Sequence, residues 1–243
     1  MIKRVDKRLQ AVQCLTGNKI KIIACITMLI DHFSKIFLES IMNDKLFPLY
    51  LAGGMSTEQF YGIDAFQKNI LNGIGTIAFP LFCLLLSEGF FYTKNRKRYI
   101  GGMLAFALIS EVPFDIGFFS RYSIAEGTFP FYLQYQNVFF TLFLGLLTLV
   151  IIEKVALKIS GDGRKSKVTK ILCQLGVVII MAIIAELVKC DYGSQGIVYV
   201  SMLYFLRKSR LFTKCRISHN VYGDNRKSAN DFYCCCSSYN FVI

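Results

Sequence analysis

A chain of 243 residues that is 54% hydrophobic and 14% aromatic, lacks tryptophan and has a mean hydropathy of +0.46 is too apolar for an ordinary water-soluble domain. A formal net charge of +12 would suit a nucleic-acid binder, but the basic residues fall in alternate gaps between long apolar runs, a membrane pattern that argues against nucleic acid. The runs lack period-two alternation, so a closed strand barrel fits poorly and an all-α, polytopic transmembrane bundle of about six spans is expected.

Residues 1–19 carry Lys3, Arg4, Lys7, Arg8 and Lys19 and are expected as a basic cytoplasmic segment. This start leads into the first apolar stretch, 20–38, without a small-residue cleavage pattern, so the first helix is expected to remain as a membrane anchor. Asp31 and His32 lie side by side past its middle. Ionisable groups at such depth cost at least ~2.5 kcal/mol each on insertion scales, which points to a polar interior or a chemical task. Segment 39–69 is expected as a long external loop broken by Pro48, Gly53, Gly54 and Gly62, either a lid or a linker.

The second stretch, 74–91, carries Glu88 toward its inner end and is followed by Lys94, Arg96, Lys97 and Arg98. The third, 99–119, holds Glu111 and Asp115 in its outer half, with Pro113 between them removing a backbone donor. Gln134, Gln136, Asn137 and Thr141 open the fourth, 138–157, from the outside; a second basic loop leads to the fifth, 168–188; and Asp191 with Tyr192 precedes a shorter sixth, 197–206. The distribution of Lys and Arg places the N-terminus inside throughout. Residues 211–243 show no sustained apolar run and are expected as an irregular tail, truncated or out of its ancestral reading frame near Lys214. Nine cysteines without a CxxC pair give no zinc or disulfide framework, and a single intramembrane imidazole among carboxylates gives no metal site.

With this orientation Asp31, His32, Glu111, Asp115, Asn137 and Asp191 share the outer leaflet and can line one cavity. Neutral His32 suits a general base oriented by Asp31 or another carboxylate, while an i,i+4 pair between Asp31 and Lys35 is the structural alternative. The basic residues after Glu88 suit the phosphates of a nucleotide-bearing donor, although the positive-inside rule produces them without a ligand.

The strings KIIACITMLIDH (21–32), GTIAFPLFCLLLSEGFFYTKN (75–95) and AFALISEVPFD (105–115), continued by QNVFFTLFLGLL (136–147) and DYGSQG (191–196), resemble the TraX family over 17–210. The resemblance implies a membrane-bound acyltransferase of the bacterial cytoplasmic membrane, the family's namesake acetylating the N-terminus of pilin in conjugation. It further implies acetyl-CoA as donor and a protein, envelope small molecule or glycan as acceptor. On this reading the donor enters past Glu88, Arg96, Lys97 and Arg98, His32 deprotonates the acceptor with help from Asp31, Glu111 or Asp115, and Asn137 donates to the oxyanion. Thr76 and Tyr92 stand where relatives often carry Arg and His, and the YNGxRG-like and FYxFYPxH-like closing strings of relatives are absent, so loss of activity in this chain is an expectation too. A proton-coupled transporter or a non-catalytic membrane partner remains open beside the acyltransferase.

Overall fold

The computed structural model describes residues 17–159, 161 and 163–221, with side chains as far as Arg207. Most of the basic segment expected at 1–19 and residues 222–243 of the expected tail lie outside the described residues. The fold is an all-α polytopic bundle, and among the described residues its strand-like pairing is limited to one bridge, Gln136 with Cys190. Helix α1, Gly17–Phe33, passes through a π turn at Ser34–Leu38, an α turn at Glu39–Ile41 and a second π turn at Met42–Leu46 into α2, Phe47–Leu51. After a tight turn the chain returns through α3 (Thr57–Ala65), a third π turn (Phe66–Leu71), α4 (Asn72–Gly75) and α5 (Ala78–Tyr92). Four longer helices follow: α6 (Arg96–Ala125), α7 (Val138–Lys158), α8 (Arg164–Leu187) and α9 (Gly193–Val221).

The expectation of a loop over 39–69 is corrected, because this segment is a helical hairpin. Pro48 does not break it: it stands where the second π turn passes into α2, and the helix runs on through it to Leu51. The true break is the turn at 52–56, where Gly53 takes φ +74° and Ser56 restarts the helix through a reciprocal capping box with Gln59, both bonds at 3.2 Å. Each π turn inserts an extra residue into the helical cycle and rotates the faces beyond it. Two of them meet across the hairpin, where buried Ser34 donates to Asn72 Oδ1 at 3.0 Å and Gln67 Nε2 donates to the Ser34 carbonyl at 3.3 Å.

Four described helical runs are long and apolar enough to cross a membrane: Thr57–Tyr92, Arg96–Ala125, Val138–Lys158 and Arg164–Leu187. The first expected span covers most of α1 and the first π turn and differs from these by carrying Lys21, Asp31 and Lys35 within one span length. The sixth lies in α9, which continues past Arg210 to Val221.

The core follows from spacing. Phe79, Cys83, Leu86 and Phe90 recur at intervals of four and three along α5, as do Leu142, Leu146 and Leu149 along α7, and both stripes close on Val200 and Tyr204 of α9. Small residues let the backbones approach: a Cβ on Gly145 would press on Val200 at 3.0 Å, and one on Gly196 would collide with Thr141. Helix α1 packs outside this core on α5, α6 packs on α7, and α8 packs on both α7 and α9.

Candidate functional site

Polar groups meet where the outer ends of α7, α8 and α9 stop short of α6. Helix α6 has 30 residues, a length of roughly 45 Å. The chain does not continue outward from its end but folds back along it. Tyr132 N donates to Asp115 Oδ2 at 2.8 Å, Tyr132 stacks on Phe119 with centroids 4.7 Å apart, and Asn137 reaches Glu111 and Ala107. Helix α7 therefore starts near mid-α6, and the connecting segment lines the outer half of that helix.

Asn137, 2% exposed, organises this junction. Its side-chain oxygen accepts from Phe139 N at 2.9 Å and caps α7. Its main-chain N–H donates to Glu111 Oε2 at 3.1 Å, while Nδ2 donates to the Ala107 carbonyl at 2.8 Å and to Glu111 Oε2. Both amide hydrogens are thus committed, and Asn137 holds Glu111 with no amide hydrogen left for an oxyanion. Glu111 Oε1 and Asp115 Oδ1 are buried without a hydrogen-bond partner.

The second group lies on α1. Asp31 accepts from Lys35 Nζ at 2.9 Å, and His32 Nδ1 lies 3.6 Å from Asp31 Oδ2, just beyond hydrogen-bond reach. That Nδ1 is buried and has no hydrogen-bond partner. The ring meets Phe118 edge-on at 5.2 Å. Gly75 makes room for the group, since a Cβ there would collide with the Asp31 side chain. The i,i+4 pair with Lys35 is therefore present, and it leaves His32 available.

Asp191 lies within electrostatic reach of the Asp31 and Lys35 pair. The turn that carries it is constrained: Lys189 and Tyr192 both take left-handed φ values, +58° and +61°, and the backbone is pinned by Gln136 N to Lys189 O at 3.0 Å and Asp191 N to Gln136 O at 2.9 Å. Tyr135 donates its hydroxyl to Asp191 Oδ1 at 2.8 Å, and Tyr192 stacks on Phe79 at 3.7 Å. Burial pushes the Asp191 carboxyl above its ordinary range, opposed by the Tyr135 hydrogen bond and the Lys35 charge. The Tyr192 hydroxyl is pushed up to about 12 by burial and by the charges of Asp191 and Asp31. Asp31 and Lys35 therefore act on the same space as Asp191, whereas no hydrogen bond or ion pair among the described residues joins His32 to Glu111 or Asp115.

The residues expected at the inner entrance divide. A cavity of about 720 Å³ lies at the turn between α5 and α6, bordered by Glu88, Lys94 and Arg98 and walled higher up by Phe106 and Phe139. Glu88 is paired with Arg207, whose guanidinium lies 5.0 Å over both Phe91 and Tyr92. Arg96 instead pairs with Glu153 and covers the Phe90 ring at 4.6 Å, and exposed Lys97 is not part of the lining. The cavity walls at Phe106 and Phe139 are one residue from Ala107 and two from Asn137 along the chain, so it reaches toward the Glu111 junction. No group of three or more His, Cys, Asp or Glu able to hold a metal occurs among the described residues.

Sequence reasoning passed over Tyr132, Tyr135 and Gly75. Tyr135 stands between two glutamines at the mouth of α7, and Gly75 opens an apolar string opposite the intramembrane aspartate; both signals need a partner helix to become meaningful.

The fold and this junction define a polytopic membrane protein with ionisable side chains held inside its bundle. The chain belongs to the TraX family: residues 16–221 match the family model described as TraX protein. It is also similar to a probable fimbrial assembly protein, FimC of serogroup H1, from Dichelobacter nodosus, with 26% identity over 185 residues. That match covers 76% of this chain and 60% of the relative, so the chain spans less than two thirds of the relative's length. No solved structure matches at a significant level.

Proposed function

We propose that this protein is a pilus-related acyltransferase of the bacterial cytoplasmic membrane, transferring acetyl from acetyl-CoA to an amine or hydroxyl acceptor. The observation that carries the reading is His32, an imidazole within α1 with an unpartnered Nδ1 3.6 Å from the Asp31 carboxylate. A small rotation closes that gap, and a carboxylate so placed orients the ring and stabilises it once protonated. The acceptor nitrogen or oxygen attacks the thioester carbonyl and forms the new C–N or C–O bond as its proton passes to His32. The C–S bond breaks, and the departing thiolate takes up a proton. Arg98 and Lys94 serve the donor's phosphates, Glu88 and Arg96 shape the entrance through their ion pairs, and Lys97 adds to the field. Glu111, held by Asn137, and Asp115 keep the junction polar. Family membership and a relative named for fimbrial assembly support a pilus context.

The test is thiol release from acetyl-CoA by the purified protein in detergent, with a peptide bearing a free N-terminal amine and, separately, a glycan as acceptors. His32→Ala is expected to lower turnover about 10²- to 10⁴-fold while the protein stays inserted and monodisperse. Normal turnover in that variant overturns the assignment of His32. The unpartnered Glu111 and Asp115 oxygens favour proton-coupled transport as the second reading. Transport requires sealed vesicles and a gradient, whereas acyl transfer proceeds in detergent.

A further inference from the structure

The inner cavity has an amphiphilic lining. Glu88 at its border is neutralised by Arg207, and Arg96 beside it is spent on Glu153, so the border cations without an ion-pair partner among the described residues are Lys94 and Arg98. Above them the walls become apolar, through Tyr99, Met103, Phe106 and Phe139. From Arg98 to Phe106 the helix climbs about 12 Å, a depth suited to an extended hydrocarbon chain. Phe106 is 64% exposed on a helix long and apolar enough to cross the membrane, so the cavity opens sideways toward acyl chains as well as toward the cytoplasmic interface. Gly102 lies in this lining with open space where its side chain would be.

We propose that the cavity binds an anionic phospholipid of the inner leaflet, with its phosphate on Lys94 and Arg98 and one acyl chain laid along Met103, Phe106 and Phe139. The positive-inside rule accounts for cations at this interface but not for a cavity of about 720 Å³ beside them. Basic pockets between spanning helices on the cytoplasmic side are suited to lipid headgroups, and each basic side chain near an anionic surface contributes about a fivefold gain in affinity. The lipid shares its cationic border with the proposed acyl donor, so the two are expected to compete there, but lipid retention is read without donor or acceptor and does not depend on acyl transfer.

The experiment is native mass spectrometry of the full chain extracted from vesicles of phosphatidylcholine and phosphatidylglycerol. The wild type should retain phosphatidylglycerol in preference to phosphatidylcholine. Gly102→Leu fills the cavity without removing a charge and should abolish that preference. Gly101→Leu, next along the helix, in open space and outside the lining, should keep it. Arg98→Gln should lower retention about fivefold. Equal retention by the two leucine variants, or no preference in the wild type, overturns the proposal. Competition by free coenzyme A is expected from the shared border and is read apart from the preference between the two lipids. If Gly102→Leu is not monodisperse, the Arg98→Gln measurement decides alone: unchanged retention overturns the proposal.

Discussion

The inner core and the outer junction are built by different rules. Between α5, α7 and α9 the contacts are apolar, repeat along each helix and need only correct spacing, so many neighbours share the stabilisation. At the outer junction a few polar atoms on distant parts of the chain carry the structure: Asn137 reaches residues 26 and 30 positions away, and Tyr135 and Asp191 are 56 apart. Apolar packing tolerates exchange of shape, whereas a buried polar network loses a full partner whenever one atom is removed. Acid–base chemistry is expected where the second rule applies, because the described apolar core holds no carboxylate while the junction leaves Glu111 and Asp115 oxygens unpartnered.

The sharpest way to break this comparison is Asn137→Ala. The variant removes the α7 cap and the amide bonds to Ala107 and Glu111 together, leaving a buried carboxylate with the main-chain donor alone. The expected loss is about 3 kcal/mol, combining a cap with an unsatisfied buried group, measured by denaturant titration in detergent with circular dichroism. A loss below about 1 kcal/mol would mean that the cap accounts for the whole effect and that Glu111 finds other partners.

Gly75→Ala asks whether the Asp31 group depends on close backbone approach. A methyl there meets the Asp31 side chain, so Asp31 must move from His32 and Lys35; the expected cost is about 1–3 kcal/mol. Gly73→Ala, in open space on the same short helix, should be neutral or stabilising by up to about 1 kcal/mol. Equal effects at the two sites would show that α4 can shift to accommodate the methyl.

The same contrast explains what the sequence disclosed. Apolar run length and basic loops were enough for an all-α membrane bundle, and ordered motifs were enough for the family. The hairpin over 39–69 was hidden because Pro48 and Gly62 look like breakers, although one stands where the second π turn passes into α2 and the other inside α3 with nothing near it. Of the site, Asp31 and His32 stood out by their cost in an apolar run. The engagement of Asn137 with Glu111, of Tyr135 with Asp191 and of Glu88 with Arg207 was not legible, since each pairing depends on how helices align in space.

The smallest expected effect is at the outer end of the same region, where Arg121 Nη2 reaches Asp44 Oδ2 at 2.5 Å and ties α6 to the second π turn. Both side chains are exposed, so solvent and salt screen the pair, and Arg121→Gln should leave the melting temperature at neutral pH unchanged within error. Its signature is in titration. The Arg121 hydrogen bond, then that of Ser40, holds the Asp44 carboxyl below its ordinary range. A carboxyl lowered on folding stabilises the protein above its ordinary titration range, and that contribution is lost as pH falls through the lowered value. Arg121→Gln should therefore raise the Asp44 midpoint in a carboxyl-carbon NMR titration, while Ser40 keeps part of the shift through its bond at 3.0 Å. A marked fall in stability at neutral pH would instead mean that this bridge fixes the hairpin against α6, making the outer region dependent on surface contacts as well as on its buried network.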